Sequence, residues 1–306
     1  MLVQCDKCQT RYRFNPPADA PERVKLRCAK CSHTFSLRLD QDEPRPLEAG
    51  ASAAKGPRVL AVCNQKGGVA KTSTVMNLAA ALARQGQRVL MVDFDMQASL
   101  SITLGYSNQA RSFYDLVHGD SRLNDVITTT GHDNLWLLPA NPNLALLAKK
   151  NVNKPRFEQI LASRLQGVRG SIDTVIIDTP PSIEFFTLNA LTAAQSVIIP
   201  SQCEYLAMHG VGHIIEAIET IKKLQGKELN YRILITLFQE ENTVAQVIMK
   251  KMAERFAGHL FNTKINYDPK VQEAQILNRP LVAYDGAAPA AVQYSGLARE
   301  ITEIGW

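Results

Sequence analysis

A glycine-rich turn between an apolar strand and a helical stretch is the feature that most constrains the fold. Residues 58–63 form an apolar run typical of a buried β-strand, a turn follows at 64–73, and an alanine-rich stretch continues to Gly86. Backbone N–H groups of such a turn, together with a helix N-terminus, form a cradle for phosphate groups. The unit therefore predicts an α/β nucleotide-binding domain with a doubly wound, mostly parallel sheet.

The turn departs from the general phosphate-loop pattern G-x-x-x-x-G-K-[ST], because Gln65 and Ala70 replace its two glycines. It reads K-G-G-x-x-K-[ST] instead, with Lys66 five residues before Lys71. We expect Lys71 to neutralise the β- and γ-phosphates and the Thr72 hydroxyl to hold Mg²⁺. Ala70 fits only with a negative φ or a slight shift of the loop, at a cost of about 1 kcal/mol or less. The predicted nucleotide-binding residues are Gly67, Gly68, Val69, Ala70, Lys71, Thr72 and Ser73.

Acidic side chains follow two further predicted strands. Asp93 and Asp95 come after the run 88–92, and Asp178 follows the run 173–177. Alternation along a strand places Asp93 and Asp95 on one face, at the edge where ligands bind in such sheets. We expect Asp178 to reach Mg²⁺ through a coordinated water. An isolated pair of acids is more often a solvated turn, but the preceding glycine loop favours a magnesium site.

The variant loop, the V-D-x-D-x-Q segment and the D-T-P-P segment together resemble the ParA/MinD family of ATPases, from the loop to the C-terminus. The resemblance implies ATP and Mg²⁺ as cofactors and a homodimer in the ATP-bound state. It assigns Lys66 to the nucleotide of the opposite subunit, Asp93 to the magnesium shell and Asp95 to the attacking water. Lys66, Lys71 and Asp95 are therefore the predicted catalytic residues. No arginine finger is evident in the chain, so we expect hydrolysis to be slow without a stimulating partner protein.

Four cysteines near the N-terminus indicate a second module. Two C-x-x-C pairs are separated by 19 residues, which is typical of a four-thiolate zinc ribbon. About 38 residues bury too little apolar area to fold alone, so Zn²⁺ would supply the folding energy. Two disulfides or four idle thiols are the alternatives; a reducing cytosol disfavours the first, and idle cysteines do not pair at this spacing. The segment 1–38 resembles a small bacterial zinc-ribbon family, which implies a fold and a metal but no particular partner. The predicted zinc ligands are Cys5, Cys8, Cys28 and Cys31, with His33 at the surface.

Composition divides the chain into three parts. We predict a small β zinc ribbon at 1–39, a flexible linker rich in Pro, Ala, Gly and acidic residues at 40–56, and a ParA-like P-loop ATPase domain at 57–306. The net charge of +5 arises in the first part, which has eight basic and three acidic side chains, whereas the rest has 26 of each. Any electrostatic attraction to DNA should therefore depend on the first 39 residues.

DNA binding by the ATPase domain is an open question at this level. The resemblance leads one to expect arginines in a D-x-R-T and in a P-R-N-x-R segment, where this chain has Glu241 and Lys270. Lys250, Lys251 and Arg255 could rebuild a basic patch, since nonspecific binding needs charge rather than a particular contact. A solvated helix face explains these three side chains equally well.

The two remaining cysteines, the lengths of the apolar runs and the final helix disfavour other classes of protein. Cys63 and Cys203 are isolated and are expected to be small buried residues, which argues against iron–sulfur carriers. No apolar run reaches the roughly 18 residues of a membrane span, and the final helix, predicted at about 288–304, has no basic amphipathic tail. We expect a cytoplasmic protein, associated with the nucleoid if DNA is its track, and no membrane binding.

Three functions compete. The first is an ATP-dependent dimerisation switch that partitions DNA or positions a cargo. The second is an ATP-gated regulatory adaptor whose zinc ribbon recognises a protein, without a DNA track. The third, an enzyme of intermediary metabolism on the same fold, needs a substrate pocket that the sequence does not reveal.

Overall fold

The computed structural model describes residues 2–4, 8, 10–13, 23–38, 56–106, 111–119, 121–168 and 170–306. The chain divides into two compact units, Met1–Arg45 and Pro46–Trp306. The predicted linker lies almost entirely outside the described residues, and its bounds stay a prediction.

The N-terminal unit contains two antiparallel strand pairs. The first joins β1 to β2, and the second joins β3 to β4 in a register that places Lys25 opposite Ser36. Each C-x-x-C precedes the second strand of a pair, as expected of a ribbon whose turns present thiolates. The strands are β1 (Leu2–Gln4), β2 (Arg11–Arg13), β3 (Arg23–Arg27) and β4 (Thr34–Arg38).

The larger unit is built on a seven-stranded sheet. Its strands are β5 (Arg58–Val62), β6 (Val89–Asp93), β7 (Thr128–Thr129), β8 (Leu135–Leu138), β9 (Thr174–Asp178), β10 (Ser196–Ser201) and β11 (Asn230–Ile235). They follow the order β11-β10-β5-β9-β6-β8-β7, and all adjacent pairs are parallel except β7 with β8. The predicted doubly wound, mostly parallel sheet is confirmed, with β5 between β9 and β10 near its middle.

Helices connect these strands. They are α1 (Lys71–Arg84), α2 (Ser99–Thr103), α3 (Phe113–His118), α4 (Leu144–Asn151), α5 (Ile160–Leu165), α6 (Phe185–Ala193), α7 (Ala207–Gln225), α8 (Thr243–Arg255), α9 (Lys270–Ile276), α10 (Leu281–Tyr284) and α11 (Pro289–Glu303). Short 3₁₀ turns occupy Leu123–Asp125, Phe157–Gln159 and Gln166–Val168.

Two separate hydrophobic cores cover the two faces of the sheet. Strand residues alternate between them, so that in β5 Val59 and Ala61 belong to one core while Leu60 and Val62 belong to the other. The first core is closed by helices α3 to α8, and the second by α1, α2 and α9 to α11. Because both faces of the sheet are buried, the strands are continuous apolar runs in the sequence. Polar side chains that could bind a ligand therefore lie at the carboxyl edge of the sheet.

Candidate nucleotide-binding site

The glycine loop follows β5 and borders a cavity of about 440 Å³ at the carboxyl edge of the sheet. Six of the seven predicted nucleotide-binding residues line this cavity: Gly67, Gly68, Ala70, Lys71, Thr72 and Ser73. The seventh, Val69, is buried, and its carbonyl oxygen accepts a hydrogen bond of 3.1 Å from the Thr236 hydroxyl. Val69 therefore anchors the loop to the protein below it.

Lys71 is held inside the loop. Only 8% of the residue is exposed, and its ammonium donates a hydrogen bond of 2.9 Å to the carbonyl oxygen of Lys66. Burial lowers the pKa of Lys71, and the nearby Asp178 opposes that effect. A buried cation at the end of a phosphate cradle is positioned to bind phosphate oxygens.

Thr72 and Asp178 meet beneath the loop. The Thr72 hydroxyl donates to Asp178 Oδ2 over 2.7 Å, whereas Asp178 Oδ1 is buried and has no hydrogen-bond partner among the described residues. Burial, and next the charge of Asp93, hold the pKa of Asp178 well above its usual range. A hydroxyl and a carboxylate with an unused oxygen are the hard ligands that Mg²⁺ prefers, so the two residues fit the predicted metal.

The two carboxylates at the carboxyl end of β6, Asp93 and Asp95, have different environments in the structure. Asp93 is fully buried, and its Oδ2 accepts hydrogen bonds of 2.8 and 2.7 Å from the backbone and hydroxyl of Ser101. Burial raises the pKa of Asp93 to about 6. Asp95 lines the cavity and accepts from the Gln97 backbone at 2.9 Å. The contacts of Asp93 hold the segment after β6 in place, and its magnesium role stays a prediction.

Lys66 points to the segment that follows β10. Its ammonium lies 3.4 Å from Gln202 Oε1 and forms an ion pair with Glu204, and its side chain is 38% exposed. Gln202 also donates a hydrogen bond of 3.1 Å to the carbonyl oxygen of Gly68. The two lysines of the loop thus occupy different environments, one buried under the phosphate cradle and one accessible at its rim.

The backbone of Ala70 corrects one expectation. Its φ of 63° lies in the left-handed region, so the first of the two conditions expected for Ala70, a negative φ, is not met. The loop needs this conformation where α1 begins, and the Ala70 carbonyl accepts from Thr74 at 2.9 Å. A Cβ in this region costs about 1–2 kcal/mol, which is more than the sequence suggested.

Motif reasoning missed the part of the cavity that the C-terminal third of the chain supplies. These residues are Leu237, Tyr267, Asp268, Val271, Gln272 and Gln275. Gln275 Nε2 lies 3.0 Å from the Ser73 hydroxyl, which joins α9 to the start of α1. No local pattern marks these positions, because they reach the cavity only through long-range packing.

Three of the predicted zinc ligands come together in the N-terminal unit. The sulfur atoms of Cys8, Cys28 and Cys31 lie within 4.8 Å of one another, and Cys8 is 3.4 Å from Cys28. That distance exceeds the ~2.05 Å of a disulfide and is near the spacing of thiolates around one zinc ion. Cys5 lies outside the described residues, while His33 is half-buried. The cluster fits a zinc ribbon.

The two cysteines outside the ribbon, Cys63 and Cys203, differ in how deeply they are buried. Cys63 is fully buried, and burial raises its pKa to about 12, as expected for a small core residue. Cys203 is only partly buried and lines a groove with Tyr205 and Val244, so the expectation of burial is wrong for this residue. The cause is its position in the loop after β10, at the edge of the first core, against which it packs.

The candidate DNA contacts are exposed, with one exception. Lys250, Lys251 and Arg255 lie on the outer face of α8. Lys270 instead forms an ion pair of 2.6 Å with Asp285, which offsets its charge.

A parallel sheet with a glycine loop at its carboxyl edge, a buried lysine and a Thr–Asp pair define a P-loop nucleotide-binding domain. A family model described as an AAA domain matches residues 57–235, and a zinc-ribbon domain model matches residues 1–36. The chromosome-partitioning ATPase Soj of Treponema pallidum is 36% identical over 245 residues, covering 80% of this chain and 96% of the relative. The partitioning protein ParA of Caulobacter vibrioides is 32% identical, covering 80% and 93%.

The chain therefore belongs to the ParA/Soj family of P-loop ATPases, as its sequence predicted. Among solved structures, the chain is similar to cobyrinic acid a,c-diamide synthase from Mycobacterium smegmatis, whose crystal structure holds bound ADP and magnesium. It is 33% identical, has a TM-score of 0.71, and the match covers 82% of this chain and 97% of that one. Within the described residues, every helix is too short or too polar to cross a membrane.

Proposed function

We propose that the chain is an ATP-dependent dimerisation switch with slow hydrolysis, acting in the partitioning of DNA or the positioning of a cargo. The observation that carries the proposal is the division between the two loop lysines. Lys71 is buried beneath the phosphate cradle, whereas Lys66 is accessible at its rim and can contact a second subunit. A charge supplied only on dimerisation couples nucleotide binding to assembly. The names of the Soj and ParA relatives support a role in chromosome partitioning.

The chain's own residues have distinct roles in this proposal. Lys71 binds the β- and γ-phosphates, Thr72 and Asp178 hold Mg²⁺, and Asp95 orients the water that attacks. Zinc bound by the ribbon cysteines stabilises the N-terminal unit. A partner protein stimulates hydrolysis and returns the dimer to monomers, and the protein is cytoplasmic or associated with the nucleoid.

Size-exclusion chromatography with light scattering in Mg·ATP tests the switch. Asp95→Ala should accumulate as a dimer, because ATP binds but is hydrolysed too slowly to release the subunits. Lys71→Ala should bind no ATP and stay monomeric. Lys66→Ala is the matched control, since it should bind ATP and still fail to dimerise. A monomer at all concentrations of Asp95→Ala would overturn the proposal.

The regulatory adaptor is the second candidate, because the ribbon holds the whole excess of positive charge. Salt-dependent binding of duplex DNA by the ATP-bound protein, with and without residues 1–56, separates the two. Loss of binding on truncation would place the DNA contact in the ribbon, and retention would place it in the ATPase domain. Absence of binding by both forms would favour the adaptor.

A further inference from the structure

A cluster of positive side chains lies on the helices α3 to α5, outside the nucleotide cavity. His118, at the end of α3, is in its middle. Burial lowers the pKa of His118, and so do the charges of Lys150, Lys154 and Arg164. Because the effect of exposed charges fades within about 10 Å, these three cations all lie near the same imidazole. They come from α4, from the turn after it and from α5, so three segments of the chain converge at one place.

Contacts with uncharged groups hold the middle of the cluster in position. The side-chain amide of the buried Asn151 donates a hydrogen bond of 2.9 Å to His118 Nε2. The Lys150 ammonium donates a hydrogen bond of 2.7 Å to the Tyr114 hydroxyl, and it lies 5.3 Å from the centre of that ring. These partners orient the imidazole and the ammonium but do not neutralise the positive charge.

The charge of the cluster is not balanced by nearby acidic groups. Within the part of the chain that the structure describes, no carboxylate forms an ion pair with Lys150, Lys154 or Arg164. All three residues are exposed. Lys149, next to Lys150 at the end of α4, is exposed as well and adds a further cation. Since like charges repel one another, anionic groups bound here would relieve that repulsion.

Exposed aliphatic side chains lie among these cations. Leu146 on α4 is 41% exposed, and Val152, directly after that helix, is 44% exposed. Leu146 precedes Lys150 by four residues and Val152 follows Lys149 by three, which are the spacings of neighbours on one helix face. We call the combined area the α4 surface, and its residues are Leu146, Lys149, Lys150, Val152, Lys154 and Arg164.

The mixture of cations and aliphatic groups favours a peptide over a nucleic acid as the partner. Proteins bind the phosphate backbone through charged and polar groups, so Leu146 and Val152 would find no apolar contact there. An amphipathic peptide offers both kinds of contact, because its carboxylates and its apolar side chains lie on adjacent faces. The α4 surface therefore matches such a peptide in charge and in polarity.

We propose that the α4 surface docks an acidic amphipathic segment of a partner protein. Carboxylates of the segment pair with Lys150, Lys154 and Arg164, and its leucine-like side chains pack on Leu146 and Val152. The helix α4 follows β8, which lies near the end of the sheet opposite to β11 and α8. The inference goes beyond the switch, because it concerns a surface that contains none of the nucleotide-binding residues.

Fluorescence anisotropy of the full-length protein tests the docking with a defined probe. The probe is a labelled helical peptide that has glutamates on one face and leucines on the next. It should bind with an affinity that falls as the salt concentration rises, because salt screens exposed charges. The same peptide with each glutamate replaced by glutamine should bind about tenfold more weakly or not at all.

The double variant Lys154→Glu with Arg164→Glu should raise the Kd for the probe about tenfold, since it reverses two exposed charges of the surface. Its ATP affinity should equal that of the parent, which also shows that the variant is folded. Lys154→Gln with Arg164→Gln removes the same charges without reversing them and should give a smaller loss. The matched control is Lys250→Glu with Lys251→Glu, which reverses two exposed charges on α8 and should bind the probe as the parent does.

Leu146→Gln tests the apolar part of the surface. It should weaken binding of the leucine-containing probe and leave that of labelled polyglutamate unchanged, because polyglutamate has no apolar side chain. The proposal is overturned if the probe does not bind, if its glutamine form binds equally well, or if the α8 control loses as much affinity as the Lys154→Glu, Arg164→Glu variant. It is also overturned if that variant loses binding to labelled duplex DNA and keeps binding to the peptide, since the surface would then be a nucleic-acid contact.

Discussion

Buried charged residues at the carboxyl edge of the sheet stabilise one another's charge. Lys71 and Asp178 are both 8% exposed or less, and the charge of each favours ionisation of the other. A buried charge without a partner costs several kcal/mol, so substitution of one member leaves the other destabilised. Asp93 adds a second negative charge, which its hydrogen bonds from Ser101 partly compensate. Binding of a cation and of phosphates at this edge would supply the opposite charges that these buried groups lack.

Ala70 gives a prediction at the same scale. Ala70→Gly should raise the free energy of unfolding by about 1 kcal/mol, because glycine adopts a φ of 63° without the Cβ penalty. Urea unfolding of the nucleotide-free protein measures the difference. Ala80→Gly, in the middle of α1, is the control and should lower stability by about 1 kcal/mol. Destabilisation by both substitutions would show that the loop does not store this strain.

At the amino edge of the sheet, a charged pair joins two secondary-structure elements. Asp173, just before β9, accepts hydrogen bonds from the backbone N–H of Arg88 at 2.8 Å and from its Nη2 at 2.7 Å. Arg88 itself precedes β6, the neighbour of β9 in the sheet. These hydrogen bonds lower the pKa of Asp173. The pair therefore fixes two adjacent strands where they begin.

Asp173→Asn should cost about 1 kcal/mol of stability at neutral pH, the scale of a partly exposed charged hydrogen bond. A depressed carboxyl pKa stabilises the fold above the unfolded pKa of about 4, and that stabilisation is lost as pH falls through the lower folded value. The difference in the free energy of unfolding between parent and variant, measured with urea, should thus be largest at about pH 7 and become small towards about pH 3. Glu254→Gln, on the exposed face of α8, is the control and should show little difference at either pH. A gap that did not change with pH would exclude the carboxylate charge as its source.

Secondary-structure elements that are marked by a contiguous sequence pattern could be predicted from the sequence. The strand, glycine loop and helix at 58–84 and the acids at the carboxyl ends of β6 and β9 are contiguous patterns. The structure brings Lys71, Thr72, Asp95 and Asp178 to one edge of the sheet. The α9 lining could not be predicted, because Gln275 reaches Ser73 across some two hundred residues that only the packed core brings together. The positive φ of Ala70 was also missed, because the residue type argues against it.

The molecule as a whole combines two units with different sources of stability. The larger unit has two hydrophobic cores, whereas the smaller has short hairpins and a thiol cluster. Apolar burial stabilises the first, and a small unit of this kind usually requires metal. With zinc bound by the ribbon cysteines, as proposed, the two units should respond separately to loss of the metal.

Removal of zinc by a thiol-selective chelator, with Mg²⁺ in excess, should unfold the N-terminal unit and leave the ATP affinity of the other unchanged. NMR signals of the ribbon report the first effect, and calorimetric titration reports the second. Cys28→Ser should behave like the chelated protein, and Cys203→Ser, outside the ribbon, like the parent. A loss of ATP affinity on chelation would mean that the nucleotide site depends on the ribbon.

The order of strands in the sheet also has a consequence for synthesis on the ribosome. The hairpin partners of the ribbon are close in sequence, but β5 pairs with β9 and β10, in the register Arg58↔Thr174 and Ser196↔Leu60. At typical translation rates, the nascent phosphate loop must wait about 10 to 40 s for α9 to complete the cavity. Until β9 and β10 emerge, β5 is an apolar strand with two unpaired edges, so we expect the emerging chain to engage chaperones until β10 is released.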